Sequence, residues 1–227
     1  MQIREDQNLF CTNPAGIPMK IITLREIRFS VRHSKNISSE PTSKSIILVT
    51  EDAERTMCTY LGASTSLYFS EIDKSLFDFA KIIYFEGYLF DKEETKKTIV
   101  EMGKRARSNN ILVSLSLSDK FCVERHRKDF INLIKNYVDI VFANESELTS
   151  LFQKNFSMSL QSLRKIVKLG SITLGEKGSI AFNEDKIINI KSKQTKAVDT
   201  TGAGDLYASG FLFGIANNMP LKKCMNW

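Results

Sequence analysis

The stretch from Ile111 to Asn144, "ILVSLSLSDKFCVERHRKDFINLIKNYVDIVFAN", decides the fold. It opens on "ILVSLSL" and closes on "VDIVFAN", two short runs of branched apolar residues with the length of strands. Between them, "CVERHRKDFINLIKNY" places Phe130, Leu133, Ile134 and Tyr137 three and four residues apart on an otherwise charged surface, which is helical spacing. Strand, helix and strand at this spacing make a βαβ unit, whose right-handed crossover lays its two strands parallel.

The rhythm extends in both directions. Upstream, "SIILVT" (Ser45–Thr50) and "KIIYFEGY" (Lys81–Tyr88) read as strands, the second followed by a helix in "DKEETKKTIVEMGKRARS" with Ile99, Val100 and Met102 on its apolar side. Downstream, "SMSLQSLRKIVKLG" reads as a helix ended by Gly170, and "SITLG" as a strand. Beyond it "GEKG" and "ED" are turns joining short antiparallel strands, "SIAFN" and "KIINIK". The expected architecture is α/β: a Rossmann-like, mainly parallel sheet with helices on both faces and a short antiparallel hairpin region. Residues 1–44 stand apart as an atypical N-terminal segment, a lid remnant or a linker, with "CTNPAGIPMK" loop-like and "SKNISSEPTSKS" polar. The α/β domain is expected over 45–227.

Composition narrows the function. A chain of 227 residues with 42% hydrophobic content can bury a core. It has no apolar run of some 18 residues, and its N-terminus mixes charges early, so neither a membrane span nor a secretory signal is expected. Four scattered cysteines (Cys11, Cys58, Cys122, Cys224) and only two histidines point to reduced thiols in a cytoplasmic setting rather than to zinc or a disulfide framework. The net charge of +6 comes from Lys and Arg interleaved with Glu at helical spacing, which describes solvated helix faces. No basic run carries the interleaved aromatics that stack bases, so no nucleic-acid partner is expected and the charge implies no more than a modest attraction for anionic small molecules.

In open α/β sheets ligands bind beyond the carboxyl ends of the strands. Three candidate features fall there. In "AVDTTGAGDLYASGFLFGIA" (Ala197–Ala216), Gly202 and Gly204 permit a tight loop before a helix that is apolar almost all round. The backbone N–H groups of Ala203, Gly204 and Asp205, with the positive end of the helix dipole, make an anion hole. Asp205 could there take a proton from a hydroxyl attacking a phosphoryl group. Asp and Thr before a helix are equally ordinary caps, and both readings stand on the residues alone. In "ANESELTSLF", Asn144 and Glu147 have capping-box spacing. The same pair could order Mg²⁺ through water and touch phosphates. "TLGEKGS" (Thr173–Ser179) is a plain hairpin turn or a place where backbone approaches a nucleotide. Two other glycine motifs are excluded: "GAGDLY" lacks the third glycine of the dinucleotide fingerprint, and "GSITLGE" carries Glu176 where a P-loop needs Lys.

Asn144-x-x-Glu147, then "TLGEKGS", then "DTTGAGDLYASGFL" together resemble the ribokinase or PfkB family of small-molecule kinases. "SIILVTEDAERTMCTYLGAS" (Ser45–Ser64) and "FEGYLFD" (Phe85–Asp91) are more similar to its adenosine-kinase-like branch. The resemblance runs from about Thr42 onward. It implies ATP-dependent phosphorylation of a hydroxymethyl group on a sugar or nucleoside. Asp205 would be the general base, and Gly202, Ala203 and Gly204 the anion hole. Asn144 and Glu147 would serve the Mg²⁺–phosphate site, and Thr173, Gly175, Lys177 and Gly178 the nucleotide. Asp199 and Thr201 would lie near a monovalent-cation site, K⁺ in many members. Arg55, in "EDAERTM", offers a planar donor fork for phosphate, or an ordinary ion pair with Glu51, Asp52 or Glu54. The family's early Gly-rich segment and its closing C-terminal helices have no counterpart here. The expectation is therefore an incomplete kinase domain, as a monomer or homodimer. The alternative is a non-catalytic nucleotide-binding fragment or a subunit that needs a partner chain.

Overall fold

The computed structural model of the chain describes residues 41, 43–50, 55–193 and 200–226. Most of the segment 1–44, the acidic residues Glu51, Asp52 and Glu54, and Asp199 lie outside them. Strands β1 (Lys44–Val49) and β2 (Arg55–Tyr60) pair antiparallel in a two-stranded ladder of their own. The strand expected at Ser45 is therefore present but does not join the main sheet. Its partner, "RTMCTY", mixes polar and apolar residues too evenly to be read as a strand from sequence.

The main sheet has six strands in chain order: β3 (Ile82–Glu86), β4 (Leu112–Ser116), β5 (Ile140–Asn144), β6 (Leu169–Thr173), β7 (Ser179–Phe182) and β8 (Ile187–Ile190). β3 to β6 run parallel, and β7 and β8 turn back antiparallel, as the two turn signals require. When parallel strands are added in one direction, every right-handed crossover delivers its helix to the same face. Accordingly α1 (Glu93–Ser108), α2 (Lys120–Tyr137), α3 (Glu145–Phe152) and α4 (Phe156–Arg164) share one core with Phe85, Val113, Leu115, Val141, Ala143, Ile172 and Phe182. Strand alternation sends the neighbours Ile140 and Phe142 to the opposite face.

That second face needs cover from elsewhere in the chain. It comes from α5 (Ala203–Ala216) and the short α6 (Leu221–Cys224), whose Ala208, Phe211, Leu221 and Cys224 pack on Ile140, Phe142 and Ala181. Phe211 meets Phe142 edge-on, ring centres 5.3 Å apart. Gly214 is the contact point of the two helices: a Cβ there would lie 2.6 Å from the Cys224 sulfur. At the far end of α5 the Lys81 ammonium donates to the Ala216 carbonyl at 3.1 Å, tying the helix to the residue just before β3.

Two expectations need correction. Helix α4 stops at Arg164, and Gly170 is the second residue of β6, where its missing side chain makes room for the Phe182 ring. Helix α5, whose almost wholly apolar sequence predicts burial all round, packs on the sheet through Ala208 and Phe211 but leaves Leu206 74% exposed.

Candidate active site

The parallel register of β5 and β6 sets Asn144 opposite Thr173, and the turn back into β7 sets Thr173 opposite Ser179. Two candidates far apart in sequence thus become neighbours at the carboxyl edge of the sheet. Asn144 is also the cap of α3. Its Oδ1 accepts from the Glu147 N–H at 2.8 Å and from the Ser146 hydroxyl at 2.7 Å. Glu147 answers with both oxygens, accepting from the Asn144 N–H at 2.9 Å and from its side-chain amide at 2.7 Å. The capping box is complete. Glu147 is buried, and burial pushes its carboxyl up to about 7; the Asn144 N–H opposes this, while Asp119 and Glu86 add to it.

The turn after Thr173 is a single 3-10 turn, Gly175–Lys177. The Leu174 N–H donates to the Gly178 carbonyl at 2.8 Å and closes the loop. Gly178 has φ 101°, and a Cβ there would overlap the Ile190 carbonyl oxygen, so only glycine fits. At Gly175, by contrast, an added Cβ meets nothing within 4 Å, leaving that backbone open to a ligand.

Gly202 is the N-cap of α5, in the left-handed region at φ 76°. The first intrahelical bond is Leu206 N–H to the Gly202 carbonyl at 2.9 Å. The Ala203 N–H donates to the Thr200 carbonyl at 3.1 Å, which corrects the expectation that it is free for an anion. The N–H groups of Gly204 and Asp205 sit at N2 and N3, where helix geometry provides no intrahelical acceptor. A Cβ on Gly204 would meet nothing within 4 Å, so the space in front of these donors is open. The Asp205 side chain is exposed and folds toward Gly202, its Oδ2 4.0 Å from where a Gly202 Cβ would stand.

Sequence reading missed the end of β3. Glu86 accepts from the Ser118 hydroxyl at 2.7 Å, and the same hydroxyl accepts from the Gly87 N–H at 2.7 Å. Ser118 holds φ 69°, unusual for a residue with a side chain. Burial, then the Glu86 carboxylate, holds the Tyr84 phenol above its ordinary range, and Asp205 adds to the same effect. Asp205 and Glu86 therefore both act on Tyr84, and Glu86 acts on Glu147 as well. The available signal was Glu86 closing a strand in "FEGYLFD"; its partner, just past the end of β4, is a tertiary contact.

Not every candidate joins this edge. Arg55 begins β2, away from the six-stranded sheet. Thr201 is exposed beside the Gly202 cap, while Asp199 lies outside the described residues. Among the described residues no three His, Cys, Asp or Glu side chains gather to hold a metal ion. That suits Mg²⁺ only if phosphates and water supply most of its ligands, as they commonly do. No helix among the described residues is long and apolar enough to cross a membrane.

Residues 23–226 match the pfkB family carbohydrate kinases, and the chain belongs to that family. It is 26% identical over 210 residues to the ATP-dependent 6-phosphofructokinase of Thermoanaerobacterium thermosaccharolyticum, covering 89% of this chain and 64% of that protein. The crystal structure of adenosine kinase from Sinorhizobium meliloti superposes with a TM-score of 0.81 at 40% identity, covering 85% of this chain and 60% of that one. A probable sugar kinase from Rhizobium etli gives 0.82 at 38%, covering 86% and 60%. The chain spans 60% to 64% of the length of these relatives. The fold is ribokinase-like, with a mainly parallel six-stranded sheet and a small antiparallel one.

Proposed function

We propose that this chain carries the phosphoryl-transfer machinery of a small-molecule kinase, moving the γ-phosphoryl group of ATP to a hydroxymethyl group of a sugar or nucleoside. The observation that carries the reading is the first turn of α5: Gly202 in a left-handed cap, an open space before Gly204, and the Asp205 carboxylate folded over the same spot. The acceptor hydroxyl gives its proton to Asp205 as its oxygen bonds to the γ-phosphorus, and the bond from phosphorus to the β-phosphate oxygen breaks. The Gly204 and Asp205 N–H groups face the charge that develops on the phosphoryl oxygens, while Gly202 and Ala203 shape the loop. Asn144 presents its amide to the phosphates, held by Glu147 through both carboxylate oxygens, and this pair orders water rather than ligating a cation directly. Mg²⁺, when bound, neutralises charge between phosphate oxygens. Thr173, Gly175, Lys177 and Gly178 line the nucleotide side; Asp199 and Thr201 serve a K⁺ site, and Arg55, on the separate two-stranded ladder, is a further candidate donor for phosphate charge.

The adenosine kinase resemblance and the 40% identity to the Sinorhizobium enzyme favour a nucleoside acceptor. The test is transfer of label from Mg-ATP to adenosine, inosine, ribose or fructose. The expected result is one labelled acceptor, and turnover falling roughly 10²–10⁴-fold in Asp205→Asn. An unchanged rate in that variant ends the assignment of the base. The exposed Leu206 on α5 favours a second reading, a nucleotide-binding chain that needs a partner for activity. Mg-ATP binding without transfer from folded protein is its signature.

A further inference from the structure

Tyr207 lies two residues beyond Asp205, and its half-buried side chain packs against the apolar cluster between α5 and the sheet. It donates to the Ser179 hydroxyl at 3.0 Å and lies 2.7 Å from the Ser171 hydroxyl. With its one proton committed to Ser179, it accepts from Ser171. Ser171 and Ser179 are themselves buried, on β6 and at the start of β7, with Ser171 paired between Phe142 and Ala181 of the neighbouring strands. Apolar contacts hold a helix on a sheet but are non-directional, and they permit small rotations and slips. The two hydrogen bonds that meet at the Tyr207 hydroxyl are directional, and they hold the helix in one rotation over that layer.

Residues i and i+2 of a helix point about 200° apart. Fixing Tyr207 on the sheet therefore turns Asp205 away from it and out over the carboxyl edge, where it is exposed. The second anchor matters as much. Ser179 follows Gly178 and pairs with Thr173, which pairs with Asn144. One hydroxyl thus ties the helix that bears the carboxylate to the strand that bears the Gly175–Gly178 turn.

We propose that Tyr207 is a positioning residue, which through Ser171 and Ser179 fixes the rotation of α5 and so aims Asp205 and the Gly204 N–H at the phosphate edge. This rests on the reading of Asp205 as the base. Tyr207→Phe keeps the ring against Phe211 and removes only the hydroxyl. The triple variant Tyr207→Phe/Ser171→Ala/Ser179→Ala removes all three, leaving no unpaired group.

Amide hydrogen exchange of Leu206 and Tyr207 is compared with that of Ile172 and Ile180 in both variants and the parent chain. The expected result is about tenfold faster exchange in the first turn of α5 in both variants, with the β6 and β7 amides unchanged and thermal stability regained only in the triple. kcat falls about tenfold in both, with KM for ATP unchanged. A first turn as slow as the parent's in Tyr207→Phe overturns the proposal, as does exchange in the triple variant that recovers along with its stability. Asp205→Asn, assayed in parallel, separates the two claims. Full turnover there removes the base and leaves the exchange result standing. Lost turnover with unaltered exchange in Tyr207→Phe keeps the base and removes the positioning role.

Discussion

Glu147 grips Asn144 by both its backbone and its side-chain amide, and Asn144 returns the bond to the Glu147 backbone. Each residue caps the other, so a carboxylate sits only 5% exposed at the end of a sheet strand.

The pH dependence of stability follows from this pair. The Glu147 carboxyl titrates at about 7 in the fold against an ordinary 4.5, so the fold favours its protonated form. Its contribution is fully present below about 4.5 and is lost as pH rises through about 7, a change of about 3 kcal/mol across the window. Urea denaturation of the parent and Glu147→Gln from pH 4.5 to 8, without nucleotide, checks it. The parent's stability relative to the variant is expected to decline with rising pH. A difference that stays constant removes the effect.

Asn144→Ala removes the cap and strips a buried carboxyl of its side-chain donor. A lost cap alone costs about 1 kcal/mol, and an orphaned buried polar group about 1–3 kcal/mol more. Combined with Glu147→Gln, the two losses are expected to be smaller than their sum by more than about 0.5 kcal/mol in a double-mutant cycle. Simple additivity is the contrary outcome.

The two glycines of the turn after β6 differ sharply. Gly178→Ala forces a Cβ into the Ile190 carbonyl at a positive φ and is expected to cost about 3 kcal/mol. Gly175→Ala, at φ 58° with open space around it, is expected to cost about 1 kcal/mol and, if the proposed nucleotide role holds, to act mainly on ATP affinity. Thermal melts with and without Mg-ATP distinguish them; equal losses of stability contradict the contrast.

The uneven cover of α5 gives the last contrast. Phe211→Ala should destabilise by about 3–5 kcal/mol, because its ring fills the layer over Phe142. Leu206→Gln should stay within about 0.5 kcal/mol of the parent while improving solubility. Chemical denaturation measures both, and a large loss in Leu206→Gln would mean that this side of the helix is packed in solution.

The parallel core was legible because its strands carry branched apolar runs with no competing pattern, as in "VDIVFAN" for β5. The hairpin followed from "GEKG". Gly170 was misread because a glycine after a helical pattern serves equally as a stop or as room for a ring, and only the β6–β7 register reveals Phe182 above it. The Asn144–Glu147 pair was legible because capping is local. The Ala203 N–H was not, since its acceptor depends on the turn at Thr200. The links from Ser118 to Glu86 and from Tyr207 to Ser171 and Ser179 cross strands, and no sequence period encodes them.

The bond from Lys81 to Ala216 joins residues 135 positions apart in the chain. Local βαβ units close over far shorter loops, and contacts of large separation form late because the chain must first lose much more freedom to make them. During synthesis β3 to β8 emerge before α5 exists to cover them, so the face of the sheet that carries Ile140, Phe142 and Ala181 stays bare until Ala203–Ala216 has been made. A nascent chain that stops short of α5 therefore carries an uncovered apolar sheet face, the kind of surface that recruits unwanted partners.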